Sequence, residues 1–345
     1  MLYLTTRDKF DTHTAYRALR EDRAPNGGFY LPFRMPVFSA EELAQLKNKS
    51  FGQNAAEILE HFFGCGLSGW DVEFAIGRYP VKLTALGQRI WSGELWHNQE
   101  GCYTHLERAL CDRICPDNVG KPIPSWLKIA VRIAVLFALY GEMLRGCAVE
   151  TGKTFDVALP TGDFSAAIAV WYARQMGLPV ENIVCGCNEN SGVWDLLHIG
   201  ELRTDAAVVT TATPDADFAV PAELERLICA ALGTTEAQRY TEICARGGLY
   251  ATRPGMLDIL RRGMYAAVVS SQRLMGLIPS VYRTSGYLLD PYTALAYGGL
   301  QDYRAKTGTH RTALLMADRS PLREKSLVCA ATGFSEKELK SKLEL

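Results

Sequence analysis

The chain has 345 residues, 48% of them apolar and 22% charged, and its 37 Lys and Arg against 38 Asp and Glu give a formal net charge of −1. This length predicts about two domains with sizeable cores, and the ordinary composition excludes a disordered or fibrous chain. Because the charges balance and no basic run exceeds a pair, we expect no nucleic-acid partner.

The N-terminus and the most apolar segment predict a cytoplasmic protein with no membrane partner. Residues 7–9 are all charged, where a secretory signal would carry its apolar stretch. Residues 129–143 are strongly apolar, but they include Arg132 and Glu142 and fall short of the roughly 20 residues that span a bilayer. Without a secretory signal, the 10 cysteines are expected to be thiols.

Residues 1–92 are predicted to form one N-terminal unit of mixed structure. Ser39 and Glu42 have the spacing of a capping box, in which each side chain bonds the other residue's backbone N–H. Apolar residues within 55–63 recur with the helical period. Two helices are therefore expected in this unit.

Residues 93–345 are predicted to form an α/β domain. Thr104 and Glu107 again have capping-box spacing, which predicts a short amphipathic helix over 104–115 with Thr104 as its cap. An apolar helix is expected over 126–145. Because its apolar residues occur nearly all round, it should pack against the sheet beside the strand that follows it.

A strand, a turn, a helix and a second strand are expected next. The strand over 155–159 stops at a Pro-Thr-Gly turn, a helix covers 165–176, and the next strand covers 182–187. This order predicts a parallel sheet with a right-handed crossover. The later candidates, in chain order, are helices over 221–232 and 254–262, a strand or helix over 266–271, a helix from Asp290 to about 306, a strand over 312–316 and a helix capped by Ser335.

Five short segments in collinear order carry a resemblance to a known family. They are 3–7 with 26–32, 160–165, 176–179 with 188–190, 213–218 and 286–294. They resemble, in turn, Y-x-S-T-R-G with D-G-G-L-Y-V-P, P-S-G-N-F-G, M-G-L-P with N-E-N, S-P-A-M-D-I and G-Y-L-L-D-P-H-T-A of threonine synthase. The resemblance implies the tryptophan-synthase-β-like fold type II of pyridoxal-phosphate enzymes, with residues 93–345 like its large domain.

The resemblance breaks down at the catalytic lysine. The family carries E-L-F-H-G-P-T-L-A-F-K-D, whose lysine binds the cofactor covalently and then acts as a base. Here the corresponding residues are 94–105, and Thr104 stands in the lysine column. No Lys occurs between Glu94 and Gly120, so no catalytic residue is predicted.

A second departure concerns the small domain that covers the cofactor in the family. That domain carries an S-G-D-T-G loop and lies between the lysine and P-S-G-N-F-G. Here only residues 105–158 separate Thr104 from Leu159, two helices use most of them, and S-G-D-T-G does not occur in the sequence. We therefore expect the cofactor-covering domain to be missing.

A third departure lies in the loop that the resemblance assigns to the cofactor phosphate. A glycine turn opening a helix binds anions through its N–H groups, but Asp163 replaces the family's asparagine and Ser165 its second glycine. Asp163 either opposes a phosphate or is an ordinary helix N-cap. The predicted remnant of the cofactor-binding loop consists of Thr161, Gly162, Asp163, Phe164 and Ser165.

One further position is assigned by the resemblance. The family's S-T-A-H-P-A-K-F supplies a hydroxyl to the pyridine nitrogen, and Asp318 falls in that column. Asp318 is therefore either a remnant cofactor contact or part of an exposed Asp318-Arg319 turn.

The cysteines offer a competing metal hypothesis. Cys102, Cys111 and Cys115 lie near His97 and His105, but C-x8-C-x3-C matches no strong zinc or iron–sulfur signature. Scattered thiols are favoured, and no metal is predicted. The pair Cys185 and Cys187 shares one strand face and is expected in the core.

These observations favour a non-catalytic threonine synthase-like protein with a binding, scaffolding or regulatory role and no cofactor. One alternative is an active pyridoxal-phosphate lyase, converting O-phosphohomoserine to threonine, completed by another lysine or a partner subunit. Another is a different small-molecule enzyme built on the old cleft. A homo- or hetero-oligomer is expected because loss of a domain would expose apolar surface. The ligand is left open.

Overall fold

A computed structural model describes residues 1–76, 81–98 and 100–343. Within these ranges the strands form a six-stranded central sheet, a three-stranded sheet near the N-terminus and a two-stranded sheet. No described helix combines the length and the apolar composition that a membrane-spanning helix requires.

The N-terminal sheet is antiparallel, in the order β2-β1-β3. Its elements are β1 (Leu2–Thr5), β2 (Asp8–Thr14), the short helix α1 (Ala15–Ala18) and β3 (Tyr30–Pro32). The buried Tyr3 hydroxyl donates to the Phe62 carbonyl and accepts from Trp126 Nε1, each at 3.1 Å. These bonds attach the sheet to the helices behind it.

Three helices follow, and both helices predicted in this part of the chain are confirmed. Ser39 and Glu42 form the expected capping box, and Ser50 with Gln53 forms a second one at the start of the longer helix. That helix ends at Gly64, whose φ of 59° suits a residue without a side chain. The helices are α2 (Ala40–Gln45), continued by a 3-10 turn (Leu46–Asn48), α3 (Phe51–Phe63) and α4 (Gly69–Ile76).

The central sheet confirms the predicted parallel α/β architecture. Its strand order is β10-β7-β6-β11-β5-β4, and every neighbouring pair is parallel except the β4–β5 hairpin. The remaining strands of the chain are β4 (Lys82–Gly87), β5 (Ile90–Glu94), β6 (Phe155–Pro160), β7 (Val180–Cys187), β8 (Glu201–Arg203), β9 (Leu249–Ala251), β10 (Met264–Val268) and β11 (Ala313–Ala317). The domain boundary expected at residue 92 falls inside β5.

Helices cover both faces of this sheet. In chain order they are α5 (Tyr103–Ile114), α6 (Ser125–Arg145), α7 (Ser165–Gln175), α8 (Gly192–Ile199), α9 (Leu224–Leu232), α10 (Thr234–Arg246), α11 (Met256–Leu260), α12 (Ser271–Ser285), α13 (Pro291–Thr307), α14 (Lys325–Thr332) and α15 (Glu336–Leu343). Two 3-10 turns occupy Pro116–Asn118 and Pro214–Ala216. The ambiguous segment at 266–271 is resolved as the end of β10 and the start of α12.

The apolar helix α6 lies in the core, as predicted. Most of its residues are buried, and the Tyr140 ring stacks on Phe155 of β6 with centroids 5.5 Å apart. Such burial of large apolar side chains is the main source of stability in a core of this kind. The predicted packing of this helix beside β6 is confirmed.

Candidate functional site

The three segments that the resemblance assigns to the cofactor follow three adjacent strands. Thr104 follows β5, residues 161–165 follow β6, and Asp318 follows β11, which pairs with both of the other strands. Since the carboxyl ends of parallel strands meet at one edge of a sheet, the segments converge there. The candidate site is this edge.

The phosphate-loop remnant keeps the predicted geometry of strand, turn and helix. Thr161 fixes the turn to β7, because its N–H and its Oγ1 both donate to the Gly186 carbonyl, at 2.9 and 3.1 Å. Gly162 (φ 49°) and the buried Phe164 (φ 71°) both adopt left-handed conformations. For Phe164 this backbone is uncommon, which marks the turn as held by its surroundings.

Asp163 acts on the helix rather than facing outward as a free charge. Its Oδ1 accepts a hydrogen bond from Ser165 N at 2.9 Å. The N-cap position itself belongs to Phe164, so the interpretation of Asp163 as the N-cap is corrected by one residue. The first N–H of α7 is thus occupied by a carboxylate from the chain itself.

Helix α5 begins one residue earlier than its capping-box spacing predicts. Tyr103 N donates to the Asp318 carbonyl at 2.7 Å, and Cys102 forms a β-bridge with Arg319. Cys102 is the N-cap and makes no side-chain capping bond. The expected capping box between Thr104 and Glu107 is therefore wrong, because this tertiary contact, not a local side chain, sets the start of the helix.

Thr104 itself is exposed and lines a cleft of about 610 Å³. Lys128, from α6, and Glu107 line the same cleft. A threonine hydroxyl cannot form an imine with an aldehyde, whereas a lysine amine can. Lys128 therefore lies in the same cleft as Thr104, the residue that is predicted to replace the family's lysine.

Asp318 is paired with an arginine. Its Oδ2 lies 2.9 Å from Arg132 Nη1, and Arg132 Nε lies 3.6 Å from Glu107 Oε2. The guanidinium carbon is 4.1 Å from the centroid of the Tyr103 ring, a cation–π distance. The alternative of an exposed Asp318 turn does not hold, since only 22% of this side chain is exposed.

The charges of this cluster influence one another. Burial raises the pKa of Glu107; the cations of Arg132 and Lys128 oppose that rise, and the carboxylates of Asp318 and Asp163 add to it. Burial lowers the pKa of Arg132, but the charges of Asp318, Tyr103 and Glu107 outweigh burial and raise it overall. Arg132 therefore stays charged. The remnants Asp163 and Asp318 thus act on one buried carboxyl.

Sequence reasoning missed Glu107 and Arg132. The spacing from Thr104 predicts only a capping role for Glu107, and Arg132 stands out only as a charge that interrupts an apolar segment. The signal was present, because a charged residue within an almost wholly apolar helix requires a buried partner. The identity of that partner, Asp318, could not be obtained from spacing.

The cysteine and histidine cluster does not assemble. Among the described residues, no three or more His, Cys, Asp or Glu side chains are arranged to hold a metal ion. His97 instead pairs with the buried Glu94 and stacks on Trp96, with centroids 4.0 Å apart. The pair Cys185 and Cys187 is fully buried, as predicted.

The fold places the chain in a structural class. Its mostly parallel central sheet beside a mixed N-terminal unit is the fold of threonine synthase structures, which belong to fold type II of the pyridoxal-phosphate enzymes. Residues 2–76 match the family model described as "Threonine synthase N terminus".

Two curated relatives extend this match. The chain is 27% identical over 177 residues to "Threonine synthase-like 1" of Homo sapiens and 28% identical over 195 residues to "Threonine synthase" of Schizosaccharomyces pombe. Each match covers 50% of this chain, but only 24% and 37% of those proteins. The sequence match therefore spans well under half the length of these two relatives.

Solved structures give the same result for the fold. Pyridoxal-phosphate-bound threonine synthase from Brucella melitensis superposes with a TM-score of 0.85 at 19% identity, covering 97% of this chain and 92% of that one. Yeast threonine synthase gives 0.85 at 16% identity, with 100% and 94% covered. Together these matches relate the chain to threonine synthases and threonine synthase-like proteins.

The residues at the sheet edge do not fit the cofactor that this relationship implies. The predicted lysine column holds Thr104, Asp318 Oδ2 is bonded to Arg132, and the Ser165 N–H is bonded to Asp163. Asp318 Oδ2 and the Ser165 N–H would have to change partner before they could contact pyridoxal phosphate, and a threonine hydroxyl cannot form the imine.

Proposed function

We propose that this chain is a non-catalytic threonine synthase-like protein that keeps the fold for a binding, scaffolding or regulatory role. The observation that carries the proposal is Thr104, an exposed side chain in the second position of α5. A hydroxyl supplies neither the covalent link to an aldehyde nor the base that a lysine supplies. The loss of the cofactor-covering domain and the absence of a bound cofactor belong to the same proposal.

The loop after β6 supports this proposal independently. An anion at the start of a helix is held by N–H groups that point at it. Here the Asp163 carboxylate already accepts from the first of them, so a phosphate would have to displace a charge of its own sign. We therefore expect the loop to bind phosphate weakly.

One observation favours a second candidate, an active pyridoxal-phosphate lyase that uses another lysine. Lys128 is half-buried and lines the same cleft as Thr104. In this candidate Lys128 takes the role of the missing lysine, and O-phosphohomoserine is the substrate that the resemblance implies.

One experiment separates the two candidates. Purified protein is mixed with pyridoxal phosphate, treated with borohydride and digested, and the lysines that carry the reduced cofactor are mapped by mass spectrometry. The non-catalytic proposal expects low labelling spread over exposed lysines. Stoichiometric labelling of Lys128, abolished in Lys128→Met and kept in the control Lys121→Met, would establish the second candidate. Lys121 is a suitable control because it is exposed on the segment before α6.

Assembly is part of the first proposal. A protein that binds or scaffolds needs a partner surface, and we expect self-association or association with another chain. Sedimentation of the purified protein at several concentrations tests self-association directly, and a single monomeric species throughout would contradict that part.

A further inference from the structure

The Arg132 side chain lies between two carboxylates and an aromatic ring at the carboxyl edge of the central sheet. Arg132 Nη1 is 2.9 Å from Asp318 Oδ2, and Arg132 Nε is 3.6 Å from Glu107 Oε2. The guanidinium carbon stands 4.1 Å from the centroid of the Tyr103 ring. Tyr103 and Glu107 belong to α5, Asp318 follows β11, and Arg132 comes from α6. The cation therefore joins three elements that are distant in sequence.

This cluster is buried too deeply to be a surface ion pair. The exposed fractions of the Arg132, Glu107 and Asp318 side chains are 15%, 7% and 22%. Moving charges out of water is costly, and apolar residues of similar volume often stabilise such a position as well or better. The neighbours of Arg132 in α6, from Ile129 to Val131 and from Ile133 to Tyr140, are apart from the Tyr140 hydroxyl apolar, and all are buried. Stability alone therefore does not explain an arginine at position 132.

The cluster also has more hydrogen-bonding capacity than its members use. Tyr103 Oη, Arg132 Nε and Asp318 Oδ1 are buried and have no hydrogen-bond partner. The Tyr103 side chain is almost fully buried, with 2% of the residue exposed. Two of these atoms, Tyr103 Oη and Asp318 Oδ1, belong to residues that surround the guanidinium. Buried polar atoms are normally satisfied, so this unused capacity around Arg132 indicates a cage suited to a polar, charged group. Its carboxylates and aromatic face select a planar cation.

We propose that Tyr103, Glu107 and Asp318 form a guanidinium-binding site and that Arg132 is its built-in occupant. The chain thereby fills, with its own side chain, the position at Asp318 that the resemblance assigns to the cofactor ring. This inference goes beyond the proposed function. It concerns an ion site formed by the chain's own residues, and its tests measure guanidinium binding and arginine reactivity rather than activity.

The first test removes the occupant. Arg132→Ala should leave two carboxylates facing an empty space that accepts a free guanidinium ion. Adding about 20 mM guanidinium chloride should then raise the melting temperature of the variant by about 2 °C, by mass action on the folded state. Urea at the same concentration has nearly the same shape but no charge, and should not raise it. Potassium chloride controls for ionic strength.

Two variants serve as controls. Arg145→Ala removes an arginine from the same helix that is 42% exposed and paired with Glu142, and guanidinium should not stabilise it. The double variant Arg132→Ala with Asp318→Asn lacks the main carboxylate and should lose most of the rescue. Equal responses of Arg132→Ala to guanidinium and urea would overturn the proposal, as would full rescue in the double variant.

A second measurement uses the unmodified protein, so the proposal stays testable if Arg132→Ala does not fold. Phenylglyoxal modifies accessible guanidinium groups, and mass spectrometry locates each modified arginine. Arg132, enclosed by its cage, should react at least about tenfold more slowly than Arg203, which is 65% exposed. Asp318→Asn should speed modification of Arg132 and leave Arg203 unchanged. If Arg132 reacts as fast as Arg203 in the protein without substitutions, the proposal that Arg132 occupies a closed site is refuted.

Discussion

Asp163→Asn should allow the loop over 161–165 to bind inorganic phosphate. The Asp163 carboxylate lies 2.9 Å from Ser165 N, the first N–H of α7, so it stands beside the donor that an anion would use. Asparagine keeps an oxygen that accepts from Ser165 N, and the turn should therefore persist. What the substitution removes is one negative charge.

The size of the effect follows from Coulomb's law. At a separation of about 4 Å, two unit charges repel by about 1 kcal/mol in bulk water and by about 4 kcal/mol at an effective dielectric of about 20. Asp163 is half-buried, so a value of about 2 kcal/mol is appropriate, which is about 30-fold in the dissociation constant. Raising the salt concentration should shrink the difference.

Isothermal titration calorimetry with phosphate at low ionic strength measures this difference. Asp258→Asn is the control, because Asp258 is 66% exposed on α11 and paired with Arg261. The control should bind phosphate as the unmodified protein does. If Asp163→Asn and the unmodified protein bind phosphate with affinities within twofold of each other, the charge of Asp163 does not govern the loop and the electrostatic argument is wrong.

Three further predictions concern activity, packing and pH. Thr104→Lys should not restore threonine release from O-phosphohomoserine with added pyridoxal phosphate, and since Thr104 is exposed and caps nothing, the melting temperature should barely change; enzyme-like turnover would contradict this. Gly186→Ala should lower the free energy of unfolding by about 3 kcal/mol or more, because the new Cβ would collide with the Leu295 backbone. Gly276→Ala has open space around the new Cβ inside a helix, so urea titrations should show it to be neutral or slightly stabilising. Burial raises the pKa of Asp290 to about 6, above its unfolded value of about 3.9. Between these two pH values the folded state binds more protons than the unfolded state. The contribution of Asp290 to the free energy of unfolding therefore falls as the pH rises from about 4 to about 6. The stability difference between Asp290→Asn and the unmodified protein should change across that window in urea titrations, and a constant difference would refute the shift.

The periodic core elements were predictable from the sequence. Apolar residues nearly all round α6 predicted a buried helix, and the alternation of strand and helix signals predicted the parallel β6–α7–β7 unit. Such patterns are local and repeat several times within one element, so individual exceptions do not obscure them. The cap at Ser39 was predictable too, because a capping box joins residues only three positions apart.

The β4–β5 hairpin was not predictable in this way. Its turn residues Gln88 and Arg89 have left-handed φ values of 50° and 59°. Glycine or asparagine normally marks such a turn, so the usual hairpin signal is missing. The boundary expected at residue 92 consequently falls inside β5, because nothing local indicated that this segment pairs with β11.

The errors at the candidate site have a different cause, which is dependence on distant residues. The start of α5 is set by the bond from Tyr103 N to the Asp318 carbonyl, and Arg132 is paired with the side chain of the same Asp318. Spacing within one helix cannot reveal a partner from a strand end much later in the chain. The resemblance supplied Asp318, but it carried no information on Arg132, which has no assigned role in the motif.

The separation between the packed core and the sheet edge explains how a fold can be kept while the residues of a site change. Phe155 and Tyr140 stack inside the core, away from the sheet edge where Asp318 meets Arg132. Residues at that edge lie on segments that follow the strands, so substitutions there need not disturb the packing behind them. Close superposition on threonine synthases therefore reports the core, whereas the chemistry depends on a few side chains that superposition does not weigh. Among those side chains, Asp318 Oδ2 is already bonded to Arg132 and the Ser165 N–H is already bonded to Asp163, so two of the groups that a cofactor would contact are occupied by the chain itself.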